Sequence, residues 1–119
     1  MKKTIVLGAS PNPMRFSHKA VKSLIRHGYE VVPIGIRRGK IMDEDIIIGK
    51  PDINQVHTIT LYLRPEIQKE YYKYIMSVYP KRIIFNPGTE NHELIKMALK
   101  EEIEVSIGCT LVMINTGKY

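Results

Sequence analysis

The apolar residues of this chain alternate between two patterns, and the alternation predicts an α/β sheet. Thr4-Ile5-Val6-Leu7 is a short, continuous, β-branched run within residues 3–8, which predicts a buried strand. From Ser17 to about His27 the spacing changes. Ala20, Val21, Leu24 and Ile25 recur at helical intervals with lysines and arginine between them, and Gly28 suits the position just past a helix. Tyr29 to Ile36 predicts a second buried strand, completing a right-handed βαβ unit. His57 to Leu63 predicts a third. Pro65 is suited to open a helix, along which Ile67, Tyr71, Tyr74, Ile75 and Val78 share a face until Pro80 ends it. Arg82 to Phe85 is the fourth predicted strand. A helix from about Asn91 to Lys100 follows, with Leu94, Ile95, Ala98 and Leu99 inward, and Glu104 to Ile107 is the fifth strand. Residues 37–54 carry no helical period. Turns at Arg37–Lys40 and Gly49–Asp52 bracket two short extended pieces, Ile41-Met42 and Ile46–Ile48, without assigning them a place. The tail from Cys109 to Tyr119 begins apolar and is expected to pack on the sheet as a short helix or strand.

Strands alternating with helices define a Rossmann-like, doubly wound, mainly parallel sheet of five strands with helices on both faces, in one domain spanning residues 1–119. Ligands of such sheets bind outside the carboxyl ends of the strands, where the strand order reverses. Here those ends supply Gly8-Ala9-Ser10, Ile34-Gly35, Leu63-Arg64-Pro65 and Asn86-Pro87-Gly88. The first is the most pointed. In Gly8-Ala9-Ser10-Pro11-Asn12-Pro13, Gly8 permits a sharp turn and a close backbone approach, and the prolines stiffen the loop. Asn12 or Ser17 is positioned to cap the following helix, whose N-terminus attracts an anion. The loop is neither a full G-x-G-x-x-G nor a P-loop.

Charge sharpens this picture. The chain of 119 residues has 18 Lys and Arg against 12 Asp and Glu, a net charge of +6, which points to an anionic partner. The basic residues are scattered, with no basic tail and no basic run interleaved with aromatics, so a phosphorylated cofactor is expected and nucleic acid is not. Cys109 is the only cysteine, which excludes a disulfide framework or a thiolate metal cluster. The first apolar run is too short for a leader or a membrane span, so a cytoplasmic protein without membrane attachment is expected. An NAD site would require a carboxylate at the end of the second strand. That place holds Gly35-Ile36-Arg37-Arg38, and the next acid is Asp43. Arginine there suits a ribose carrying an extra phosphate, which leaves two candidates: NADP and coenzyme A (CoA).

The sequence G-A-S-P-N-P, then His-Gly-Tyr-Glu-Val, V-P-I-G, L-Y-L-R-P-E and N-P-G-T-E-N, resembles the small stand-alone CoA-binding proteins. These are similar to the CoA-binding domain of the succinyl-CoA synthetase α subunit. The resemblance runs from about Lys3 to Ile107. It implies a Rossmann-like domain that binds CoA or an acyl-CoA at the strand ends. Gly8, Ala9, Ser10 and Pro11 match the phosphate-facing loop, with Arg15 and Ser17 at the helix start. Ile34 and Gly35 end the second strand, and Arg37 or Arg38 falls where a basic residue meets the phosphates of the ADP portion. Leu63, Arg64, Pro65, Asn86, Pro87 and Gly88 match the loops that flank adenine and pantetheine. The second strand here ends Pro-Ile-Gly-Ile, where the family more often has Pro-Val-Asn-Pro.

Catalysis is not expected. The synthetase relatives need a phosphorylated histidine and a second domain, for which this chain is too short. His18 is expected at the surface near a helix start, with contact to a phosphate as the rival, His27 at a helix end, His57 at a strand start and His92 at a helix start, without metal-ligand spacing. Ser10 has no evident base. Cys109 reads as a small buried residue, and a disulfide with the CoA thiol would require the tail to reach the pantetheine end. Tyr62, Tyr71, Tyr72, Tyr74 and Tyr79 read as packing residues, with adenine stacking by one of them as the rival. A binding module without the ligase machinery is the expected class, alone or as a homo-oligomer. An NADP-binding oxidoreductase or regulatory domain is the alternative.

Overall fold

The computed structural model describes residues 2–119. Strands β1 (Thr4–Leu7), β2 (Val31–Gly35), β5 (Ile47–Ile48), β6 (Thr58–Leu61), β7 (Arg82–Phe85) and β8 (Glu104–Ile107) form one six-stranded sheet in the order β5-β2-β1-β6-β7-β8. Every pairing in it is parallel. Two short strands, β3 (Lys40–Ile41) and β4 (Glu44–Asp45), form a separate antiparallel hairpin. The sheet thus has six strands where the pattern predicts five. Two residues of the unassigned segment, Ile47 and Ile48, pair with Ile34 and Gly35 at the edge. A two-residue strand leaves no period in the sequence, and only its pairing defines it.

Alternation along the strands divides the core between the two faces. Ile5, Leu7, Ile59, Leu61, Ile83 and Phe85 face one side, where they meet Ile75 of α3 (Tyr72–Val78) and Leu94 and Ala98 of α4 (His92–Lys100). Val6, Val31 and Ile84 face the other, against Val21 and Leu24 of α1 (Phe16–Arg26) and Ile114 of α5 (Thr110–Asn115). The hairpin packs on this second side through Ile41, which is fully buried. Helices therefore cover both faces.

The predicted helix from Pro65 to Pro80 is interrupted. α2 (Pro65–Gln68) passes into a 3-10 turn at Lys69–Tyr71 before α3 begins. The turn rotates the helical face: Tyr74 and Ile75 go to the core, while Ile67 and Tyr71 remain partly exposed. The tail resolves as helix α5, fastened at both ends. Thr110 Oγ1 lies 2.7 Å from Thr60 Oγ1. Tyr119 is buried, with its ring edge-on to Tyr29 and its hydroxyl bonded to Thr4.

Candidate functional site

The chain leaves β1 for β2 on one side and later returns to β6 on the other, so the strand order reverses between β1 and β6. A cavity of about 470 Å³ opens at this point, beyond the carboxyl ends of β1, β2 and β6. Its size is in the range of small-molecule sites.

The loop after β1 forms one wall and is held very close to its neighbours. Gly8 has φ +101°, and a Cβ there would lie 3.0 Å from Leu63 Cδ2 and from the Tyr62 carbonyl group. The Gly8 and Ala9 amides both donate to the Ile34 carbonyl, at 2.8 and 2.9 Å. The Ser10 carbonyl accepts from His18 Nδ1 at 2.9 Å, so that ring nitrogen carries a proton. His18 is accordingly buried beneath the loop and not on the surface as its position suggested. One helical turn beyond Arg15, it points back toward the residues before the helix.

The expected helix cap is absent. Asn12 Oδ1 accepts from the Met14 amide within the loop, and Ser17 already lies inside α1. The residue at the cap position is Arg15, whose side chain makes no capping bond. The first-turn amides of α1 are thus left to another partner, and α1 begins at the cavity, which Arg15 and Ser17 line. A helix N-terminus of this kind is disposed to hold an anion.

Arg15, Arg37 and Arg64 line the cavity, and among the described residues no acid does. Arg64 has an exposed ion pair with Glu66 at 3.3 Å, and pairs of that type are weak. Arg15 and Arg37 have no acidic partner among the described residues. Ile36, Leu63, Ile67, Tyr62 and Tyr71 form the apolar part of the lining. Burial pushes the Tyr62 phenol well above its ordinary pKa, with Thr110 hydrogen bonding opposing the shift and neighbouring Cys109 adding to it, so Tyr62 stays a neutral donor.

Most residues assigned from the sequence come together here: Gly8 to Pro11, Arg15, Ser17, Ile34, Gly35, Arg37, Leu63 and Arg64 all line the cavity. Arg38, Pro65, Asn86, Pro87 and Gly88 do not. Asn86 is buried and fully engaged elsewhere. Its Nδ2 donates to Thr60 Oγ1 and the Leu61 carbonyl, at 2.6 and 2.8 Å, and its Oδ1 accepts from the Thr110 amide at 2.9 Å. Pro87 and Gly88 are exposed beyond it. Asn12, Ile36, Tyr62, Ile67 and Tyr71 belong to the cavity without having been assigned to it. The tyrosine cluster pointed to two of these, and the 3-10 turn that exposes Ile67 and Tyr71 has no signature in the apolar spacing. Cys109 is half-buried at the start of α5, not deeply buried.

The family model for the CoA binding domain matches residues 2–115, and the chain belongs to that family. A solved structure of an uncharacterized protein is 46% identical, with a TM-score of 0.97 over 100% of this chain and 98% of the other. A protein from Thermus thermophilus shares the fold at 19% identity and a TM-score of 0.86, over 99% of this chain and 90% of its own. A hypothetical protein from Pyrococcus horikoshii does so at 23% identity and a TM-score of 0.83, over 97% and 82%. No curated protein matches the chain.

Proposed function

We propose that this protein is a binding module for CoA or an acyl-CoA, held at the carboxyl ends of the strands. The carrying observation is a cavity at the strand-order reversal that combines guanidinium groups, an uncapped helix N-terminus and, among the described residues, no lining carboxylate. Such a site favours a ligand with several negative charges. The close approaches at Gly8 and Gly35 seat the first loop directly against the ends of β6 and β2, which sets where its backbone stands at the cavity. Gly8 to Pro11, with Arg15 and Ser17, would face the diphosphate. Arg37, at the end of β2, would meet the phosphate on the ribose, and Ile36, Leu63, Ile67, Tyr62 and Tyr71 would border the apolar portions. A binding role is supported by the state of Ser10. Its hydroxyl accepts from the Asn12 amide at 3.1 Å, and the nearby His18 engages its carbonyl and not its hydroxyl. Among the described residues no helix is long and apolar enough to cross a bilayer.

Calorimetric titration with CoA, 3′-dephospho-CoA, NADP and NAD tests the reading. CoA is expected to bind, and Arg37→Ala to weaken it by about tenfold or more, the value of one charged hydrogen bond. Arg38→Ala, outside the cavity, is expected to change little. Preference for NADP would transfer the protein to the alternative class, and no binding of any of the four would overturn the nucleotide-site reading.

A further inference from the structure

The segment Ile36-Arg37-Arg38 is an arch whose two ends are pressed onto the first loop by glycines. At one end, a Cβ on Gly35 would lie 2.2 Å from the Ala9 carbonyl oxygen. At the other, a Cβ on Gly39 would lie 2.6 Å from Pro11 Cβ. Neither glycine has a positive φ, so what excludes a side chain is space and not backbone conformation. The far end is also anchored from behind. The Gly39 carbonyl accepts from the Ile46 amide at 2.9 Å, and Ile41 and Ile46 are buried in the core on the α1 side. Hairpin β3–β4 is therefore the buttress of the arch. Arg37 lines the cavity from the arch, and Arg38 does not.

We propose that Gly35 and Gly39 are positioning residues that set the selectivity of this site for a phosphomonoester on the ligand's ribose, by holding Arg37 at a fixed height over the Ala9–Pro11 loop. The inference rests on the reading of the cavity as a CoA site. A guanidinium recognises phosphate through geometry as well as charge. Arg37 is exposed and has no acidic partner among the described residues, so the height of its backbone sets what its guanidinium can reach. Raising one end of the arch would move Arg37 without removing its charge. At the Gly39 end the added methyl meets the first loop only at Pro11, and the start of α1 keeps its place, so the loss should fall more on the ribose phosphate than on the diphosphate.

The experiment compares affinities for CoA and 3′-dephospho-CoA in wild type, Gly39→Ala, Pro11→Gly and the double variant Pro11→Gly/Gly39→Ala, with melting curves to show that each is folded. In wild type the 3′-phosphate is expected to strengthen binding by about tenfold or more. Gly39→Ala is expected to bring that ratio toward unity by weakening CoA more than 3′-dephospho-CoA. Removing the Pro11 ring relieves the collision, so the double variant should recover a ratio near that of Pro11→Gly. Ile41→Val, which loosens the buttress by one methylene without touching the cavity, serves as a second probe. It should lower the ratio in the same direction and by less. An unchanged ratio in both Gly39→Ala and Ile41→Val, or equal losses for both ligands, would overturn the positioning role. Wild-type binding of CoA that ignores the 3′-phosphate would overturn it too, yet leave the CoA reading standing. Absence of CoA binding in wild type would remove both.

Discussion

His57 stands at the start of β6, its Nδ1 2.8 Å from Thr58 Oγ1. Burial lowers its pKa below 6.5, and the nearby charges of Arg82, Lys2 and Lys81 lower it further against a weaker opposing effect of Glu104. Folding thus favours the neutral ring. Its contribution is complete above the unfolded value of about 6.5 and is lost as pH falls through the folded value, because the unfolded chain takes up the proton first. The melting temperature of the wild type should therefore fall more steeply than that of His57→Gln between about pH 7.5 and 5.5. Parallel slopes in the two melting series would contradict the burial of a neutral ring. Arg82 presents the reverse case, a charge kept in the interior. Its side chain is buried, with Nε donating to Thr58 Oγ1 at 3.1 Å and Nη1 to the Tyr119 main-chain oxygen at 3.3 Å, and the guanidinium lies 4.5 Å from the centre of the Tyr119 ring. Thr4, Thr58 and Thr60 occupy β-strand positions that an apolar residue would fill elsewhere. They are tolerated because each hydroxyl has a partner.

Among the elements, α5 depends most visibly on a single side chain. Asn86 joins the end of β7 to β6 and to the first amide of α5. Asn86→Ala removes three buried hydrogen bonds and leaves the Thr110 amide without its side-chain partner, at about 1–3 kcal/mol for each buried group left unpaired. Denaturant unfolding should show a loss of at least about 2 kcal/mol. CoA affinity should change less than in Arg37→Ala. The opposite ranking, with little instability and a large loss of affinity, would return Asn86 to the cavity where its place in the sequence suggested it. Gln68 has the same function for the other wall. Its Nε2 donates to the Leu63 and Thr89 carbonyls at 2.6 and 2.8 Å, and its Oε1 accepts from Asn91, so the loop carrying Arg64 is tied to the loop after β7. Asn91 in turn caps α4 through the Glu93 and Leu94 amides. Residues of polar character at the strand ends are thus of two kinds. Asn86 and Gln68, whose hydrogen bonds are satisfied within the fold, build the walls, whereas Arg15 and Arg37, which have no acidic partner among the described residues, line the cavity.

For the whole molecule, a ligand that binds only the folded chain stabilises it by mass action. CoA at a hundred times its dissociation constant should add about 2.7 kcal/mol, raising the melting temperature by roughly 10 °C for a chain of this size. 3′-Dephospho-CoA at the same concentration should raise it less. Equal shifts for the two would show that the ribose phosphate is not read. The net charge of +6 acts at this scale as well, since it favours the approach of an anionic ligand. Of the cations behind it, the cavity gathers Arg15, Arg37 and Arg64 and excludes acids among the described residues.

The sequence by itself determined the parallel α/β architecture, the strand ends as the place of the cavity and most of the first loop. These follow from local patterns: apolar period, glycine and proline at turns, and the missing carboxylate after β2. The tertiary structure alone decided which residues at those ends line the cavity. Arg37 and Arg38 are neighbours of one type, and no local rule separates them; the arch between Gly35 and Gly39 does. Asn86 carries the same groups whether it binds a ligand or braces a helix, and only the arrival of α5 beside it gives those groups a partner. His18 is polar and near a helix start, which placed it at the surface until the loop folded over it. The strand Ile47–Ile48 and the turn that exposes Ile67 and Tyr71 were invisible for a related reason. Each is defined by what lies beside it in space, and periodicity along the chain records only which side of an element is buried.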